Sequence, residues 1–99
     1  MTTIMITAEA RPEHVADIEA AAAEVFVALE QDQPEGLQYA SMRLADGVTY
    51  VILVAWPDGE RNPLMAVPAY QAFAKGLREW LAAPGTTEQL DLVGSYRLF

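Results

Sequence analysis

The sequence predicts an α+β domain of βαββαβ order, a ferredoxin-like antiparallel sheet with both helices on one face. Three observations carry this. Apolar residues alternate with period two near both ends of the chain and again in its middle. Between those segments lie two stretches whose apolar residues recur every three or four positions. The resulting order, strand, helix, strand, strand, helix, strand, is that of two split βαβ units.

The first strand is read over Thr2 to Ala10, where Ile4, Ile6 and Ala8 alternate with Thr3, Met5, Thr7 and Glu9. Arg11-Pro12 ends the extended run, and Pro12 suits the first turn of a helix, where a missing N–H costs nothing. Val15, Ile18, Ala22, Val25, Phe26 and Leu29 then form one helical stripe, closed by Gln33-Pro34-Glu35-Gly36. Two strands follow, Leu37 to Ala45 and Val48 to Trp56, with Asp46-Gly47 between them as a two-residue hairpin turn. That turn pairs Arg43 with Tyr50, Ser41 with Ile52, Tyr39 with Val54 and Leu37 with Trp56, all on one face. Leu44, Met42, Ala40, Val51, Leu53 and Ala55 take the other. Asn62-Pro63 marks a short helical piece and Pro68 starts the second helix, with Tyr70, Phe73, Leu77, Trp80 and Leu81 on one side. Ala83-Pro84-Gly85 ends it. The alternation of Leu90 to Phe99 predicts the fourth strand, which leaves Gly85-Thr86-Thr87-Glu88 as a loop.

At 99 residues, 53% of them hydrophobic, the chain is one domain with enough apolar material for a core. It has no cysteine, so disulfides, thiolate nucleophiles and cysteine metal sites are excluded; the expected compartment is the cytoplasm. Fourteen acidic residues against six basic ones give a net charge of -8, which repels phosphate backbones and anionic lipid. Nucleic acid and membrane are not expected partners. The short apolar start, with no basic run before it, reads as a strand and not as a leader.

Two helices on one face leave the other face of the sheet bare. Yet Tyr50-Val51-Ile52-Leu53-Val54-Ala55-Trp56 is apolar on both sides, the pattern of a strand covered on both faces. The most economical cover is the same face of a second copy, so a homodimer is expected.

Several short motifs now bear on kinship. Arg11-Pro12-Glu13 opens the first helix, Pro34-Glu35-Gly36 with Tyr39 leads into the second strand, Trp56 closes the third, and Pro68-Ala69-Tyr70-Gln71-Ala72-Phe73 opens the last helix. With the element order, they resemble the dimeric α+β barrel superfamily, and within it the antibiotic-biosynthesis-monooxygenase-like domains, from Ile4 to about Trp80. The resemblance implies one dimeric α+β barrel domain over residues 1–99. It also implies a cofactor-independent monooxygenase acting on an aromatic or polyketide-like substrate. The departures concern haem. Histidines frequent in the family fall here on Leu64 and Ala69, and the first strand offers Ile4, Met5, Ile6 and Thr7 where the haem-degrading branch has an asparagine. The acidic residue that often precedes the tryptophan is absent, Val54 and Ala55 standing there. Haem is therefore not carried over, and no cofactor is expected.

The lone histidine, His14, stands beside Glu13 and Asp17 at a helix start and reads as a solvated position; one imidazole does not make a metal site. Ser41 has no recognisable histidine partner for a nucleophilic triad. Glu13, Asp17, Glu19, Glu24 and Glu30 read as a solvated helix face. The substrate-binding candidates are Arg43, Tyr39, Tyr50 and Trp56 on one sheet face, with Tyr70 and Trp80 on the helix above if that face, and not the opposite one, is the helix side, since aromatic walls with a few polar tips build pockets for flat molecules. The same residues also make a plain core and interface, and Arg43 also suits an edge salt bridge. Two functions stay open: a small-molecule enzyme, or a non-catalytic dimeric module that holds a small aromatic ligand or none. A cavity of several hundred cubic ångströms favours the first.

Overall fold

The computed structural model describes residues 1–98. Strands β1 (Thr2–Glu9), β2 (Gln38–Arg43), β3 (Thr49–Trp56) and β4 (Thr86–Leu90) form one antiparallel sheet in the order β2-β3-β1-β4, with helices α1 (Val15–Asp32) and α2 (Pro68–Trp80). This is the expected ferredoxin-like arrangement.

Local chemistry sets the boundaries. Pro12 opens a 3-10 turn, Pro12–His14, that leads into α1, and Gln33 ends α1 in the left-handed conformation with its N–H on Leu29 O. Asn62 Oδ1 accepts from Leu64 N and so caps the short 3-10 helix Pro63–Ala66. Leu81 leaves α2 extended and bridges to Ala10, while Arg11 N donates to Trp80 O at 2.9 Å and Ala82 N to Glu9 O at 2.8 Å. The end of β1 and the end of α2 are thereby laced together.

The hairpin register is the expected one, with Arg43 opposite Tyr50, Ser41 opposite Ile52 and Tyr39 opposite Val54. The turn differs. Leu44 N bonds Thr49 O and Gly47 N bonds Leu44 O, so residues 45–48 make a four-residue connection. A two-residue type I′ turn needs positive φ at both central positions. Only Gly47 has it, at 80°, because the Asp46 carboxylate instead captures the N–H groups of Val48 and Thr49 and the Thr49 hydroxyl.

Both helices cover the face of Ile4, Ile6, Ala8, Tyr50, Ile52 and Val54. The core sits there, closed by Ile18 and Val25 of α1, Leu64, and Phe73 of α2. The other face carries Met5, Val51, Leu53, Ala40 and Met42; Leu53 and Val51 are half-buried and Met42 is exposed.

The fourth strand is a correction. It is Thr86–Leu90, paired with β1 from Thr7↔Thr86 to Thr3↔Leu90, and not Leu90 onward. The predicted loop Gly85 to Glu88 is therefore mostly strand. Thr86 to Gln89 are exposed polar residues on a sheet edge, where β-branched threonines pair without leaving an apolar pattern to read. Residues 91–98 form no regular element, and Leu92, Val93, Tyr96 and Leu98 are exposed. Phe99 lies outside the described residues.

Candidate functional site

The largest recess opens on the helix side of the sheet, beside α2. It encloses about 770 Å³. Ile6 and Ala8 of β1 and Ile52 of β3 form its floor; Tyr70, Ala74 and Leu77 of α2, with Leu81, form its wall. Arg11, Arg78, the segment 82–85 and Thr87 form its rim. The lacing of β1 to the end of α2 brings Arg11 and Arg78 to the same mouth. Among the described residues, neither guanidinium has a carboxylate within ion-pair distance.

Tyr70 is the phenol of this recess. It stands edge-on to Tyr39, ring centroids 6.5 Å apart, and tilted against Phe73 at 6.1 Å. Burial raises its pKa above the ordinary phenol value, so it stays protonated and acts as a donor at neutral pH. Among the described residues, no carboxylate and no imidazole line the recess.

The remaining candidates are distributed elsewhere. Arg43 and Tyr50 flank a second recess of about 470 Å³ between α1 and the β2 edge, with Ser41 and Phe26. Their acceptor is the protein's own: Tyr50 donates its hydroxyl to Glu19 Oε2 at 2.7 Å, and Arg43 Nη1 donates to the same oxygen. The Tyr50 hydrogen bond, with the guanidinium beside it, holds Glu19 below the usual carboxylate range, while burial raises Tyr50. Tyr39 lies in a third recess of about 350 Å³ near the end of α1, tilted against Phe26. Its hydroxyl is buried with no hydrogen-bond partner among the described residues, and burial drives its pKa far up. Trp56 donates Nε1 to Glu60 O at 3.0 Å at the end of β3. Trp80 lies flat over Gly76, where a Cβ would meet its ring at 2.5 Å. Of the six candidates, Tyr70 alone lines the largest recess.

Arg11, Arg78 and Glu19 were not among the candidates. Arg11 registers in the sequence only as part of a helix-opening motif, and Arg78 as a residue of the polar side of a helix. Glu19 did leave a signal: it follows buried Ile18 on α1, and the Arg43–Tyr50 pair on the helix side of the sheet requires an acceptor. His14 Nδ1 lies 2.9 Å from Asp17 on the first turn of α1, a local helix-end contact. Among the described residues no group of three or more His, Asp or Glu gathers in a way that would hold a metal ion. Leu64 is fully buried in the core.

A ferredoxin-like sheet with a recess between helix and sheet defines the chain as an α+β domain with the fold of antibiotic-biosynthesis-monooxygenase-like proteins. It is similar to a crystal structure of an antibiotic biosynthesis monooxygenase, at 17% identity and TM-score 0.74 over 95% of this chain and 100% of that one. It is similar also to a candidate antibiotic biosynthesis monooxygenase from Nitrosomonas europaea, at 14% identity and TM-score 0.76, over 95% of this chain and 100% of that one. A third is SnoaB, a cofactor-independent oxygenase from Streptomyces nogalater solved as a mutant, at 16% identity and TM-score 0.70 over 97% of this chain and 96% of that one. At these identities the likeness is one of fold. No protein-family model matches the sequence, and no curated protein matches it.

Proposed function

We propose that the protein is a small-molecule enzyme of cofactor-independent monooxygenase type, acting on an aromatic or polyketide-like compound held between α2 and the sheet. The observation that carries this is the recess of about 770 Å³, within the roughly 300–1,000 Å³ scale of small-molecule sites. Its floor and wall are largely apolar, and to protonated Tyr70, which lines it, we assign the hydrogen bond to the ligand. The fold it shares with SnoaB, a cofactor-independent oxygenase, supports the same reading.

The chemistry follows from what lines the recess. With no carboxylate or imidazole there, the substrate itself must be acidic, such as a CH₂ group activated by flanking phenols. Its proton passes to solvent water at the mouth of the recess, and the carbanion left behind supplies the electrons that reduce dioxygen. A C–O bond forms, the peroxide loses water, and the net change is CH₂ plus O₂ to C=O plus H₂O, with no external reductant. The protein shields the anion from water, and Tyr70 donates to the oxygen on which charge grows. The test is oxygen uptake with a panel of polycyclic phenols. Uptake matched by ketone formation is expected, lowered about 100-fold in Tyr70→Phe if that donor acts as oxyanion donors do elsewhere. Binding without uptake across the panel would leave the second reading, a non-catalytic ligand-binding module, which the lack of an acid–base group in the recess favours.

The proposal includes a homodimer. The helix-free face has an apolar centre of Met5, Val51, Leu53, Ala40 and Met42, with Thr7, Thr86 and Glu88 toward β4, and a second copy covers that centre by two-fold symmetry. The exposed Leu92, Val93, Tyr96 and Leu98 would gain cover from the same partner.

A further inference from the structure

We infer that the ligand of the α2 recess is an amphiphilic anion, an aromatic body with a terminal oxyanion that Arg11 and Arg78 hold at the mouth. This deepens the reading of the recess as a small-molecule site and rests on it.

The argument begins with charge. The chain has six basic residues and fourteen acidic ones, at a net charge of -8. In such a chain a guanidinium has carboxylates to choose from, and Arg43 has taken Glu19. Among the described residues the other basic side chains have taken none, and what sets Arg11 and Arg78 apart is that both stand on the rim of one recess. They come from different elements. Arg11 follows β1, and its backbone N–H is fixed to Trp80 O at 2.9 Å; Arg78 lies on the last turn of α2, two residues before Trp80. The lacing that closes this end of the fold thus sets two like charges at one opening. Bringing two cations to one mouth is unfavourable unless an anion answers them. Arginine forks suit planar or tetrahedral oxyanions, with two parallel hydrogen bonds from each guanidinium. Inward of the pair the lining turns apolar at Leu77 and Ile52, with Tyr70 as the inner donor. The ligand that fits has its ring system within and its acid at the water.

Carboxylate and phosphate share this chemistry, and the experiment separates them. Titration calorimetry on the full chain would use 2-naphthoate, 2-naphthyl phosphate and neutral 2-naphthamide, against wild type, Arg11→Gln, Arg78→Gln, the double variant and Arg61→Gln as a surface control. At least one acid should bind wild type about 10-fold or more tighter than the amide, and the tighter acid names the source. Each rim substitution should remove most of that preference and the double variant all of it, with amide affinity and the Arg61→Gln values unchanged. Acid and amide binding equally to wild type would overturn the inference while leaving the recess as a binding site. A fall in melting temperature with an unchanged acid-to-amide ratio would overturn it as well, and would assign the arginines to the carbonyl end of α2. If none of the three compounds binds, both the inference and the small-molecule reading fall.

Discussion

Leu53→Glu tests the homodimer most directly. Leu53 is on β3, between Met5 of β1 and Ala40 of β2, on the face without helices. In an isolated chain this side chain is half-buried and borders solvent, so glutamate there should cost about 1 kcal/mol or less of folding stability, the range of surface substitutions. In a two-fold dimer the same change acts twice. Each carboxylate loses water against an apolar partner face, at an effective penalty of several kcal/mol per ion. Two of them give on the order of 6 kcal/mol, a weakening of more than ~10⁴-fold in Kd. Sedimentation equilibrium at ~10 μM chain, well above the Kd expected of a standard-size interface, should show wild type at twice the chain mass and Leu53→Glu at the chain mass. The helical circular dichroism of the two should match, because the core lies on the other face. A wild type that sediments as a monomer would refute the covered-face argument. So would a Leu53→Glu chain that stays dimeric with unchanged Kd.

Tyr39→Phe should raise the melting temperature by several degrees, because it removes a buried hydroxyl that has no partner, a gain on the order of 1 kcal/mol. Gly36→Ala should lower it by about 1–2 kcal/mol or more in stability, since Gly36 has φ 76° and a Cβ there would stand 2.7 Å from Pro57 Cγ. Burial raises the folded-state pKa values of Tyr39, Tyr50 and Tyr70, so the folded chain keeps protons that the unfolded chain releases near pH ~10; this stability is complete below that pH and is lost as pH rises beyond it, visible as alkaline unfolding that Tyr39→Phe blunts. On the acid side, the Tyr50 hydrogen bond to Glu19 and the Thr49 hydrogen bond to Asp46 lower both carboxylates, so their contribution is present above pH ~4 and lost as pH falls, and Tyr50→Phe should shrink the acid loss in a urea titration.

The elements that were legible are those whose signal is local or periodic. Pro12, Asn62-Pro63 and Pro68 mark helix starts through chemistry that needs no neighbours. The pairing of Tyr39 with Val54 follows from counting out from the hairpin, although the turn itself is four residues long. Two shifts by one residue along each strand keep the same sum, which is why the register survived the misread turn. The fourth strand was illegible for the opposite reason. Thr86 to Gln89 owe their conformation to the free edge of β1, and nothing apolar in them announces it. The alternation of residues 90–98 has the period of a strand, but β4 already occupies the side of β1 that it was expected to take.

The site was less legible because aromatic type and shared face do not determine shared space. Tyr39, Tyr50 and Tyr70 all lie on the helix side of the sheet, yet they line three different recesses; Phe26 on α1 fits against Tyr39 and borders both the Tyr39 and the Tyr50 recess. Glu19 shows the principle at its sharpest. Arg43 opposite Tyr50 reads as a receptor for an external anion until α1 is laid over the sheet, and then Glu19 supplies the anion from within. An oxyanion ligand offered to the protein therefore meets an arginine already neutralised at the α1 recess and, among the described residues, two without a carboxylate at the α2 recess. Pairing, and not the presence of arginine, directs the ligand to α2, and removing Glu19's charge should create a second, competing oxyanion site at Arg43. Glu19→Gln should thus raise the stoichiometry of 2-naphthoate binding in calorimetry above that of wild type, while an unchanged stoichiometry would show that the short ion pair is not what keeps the first recess closed to anions.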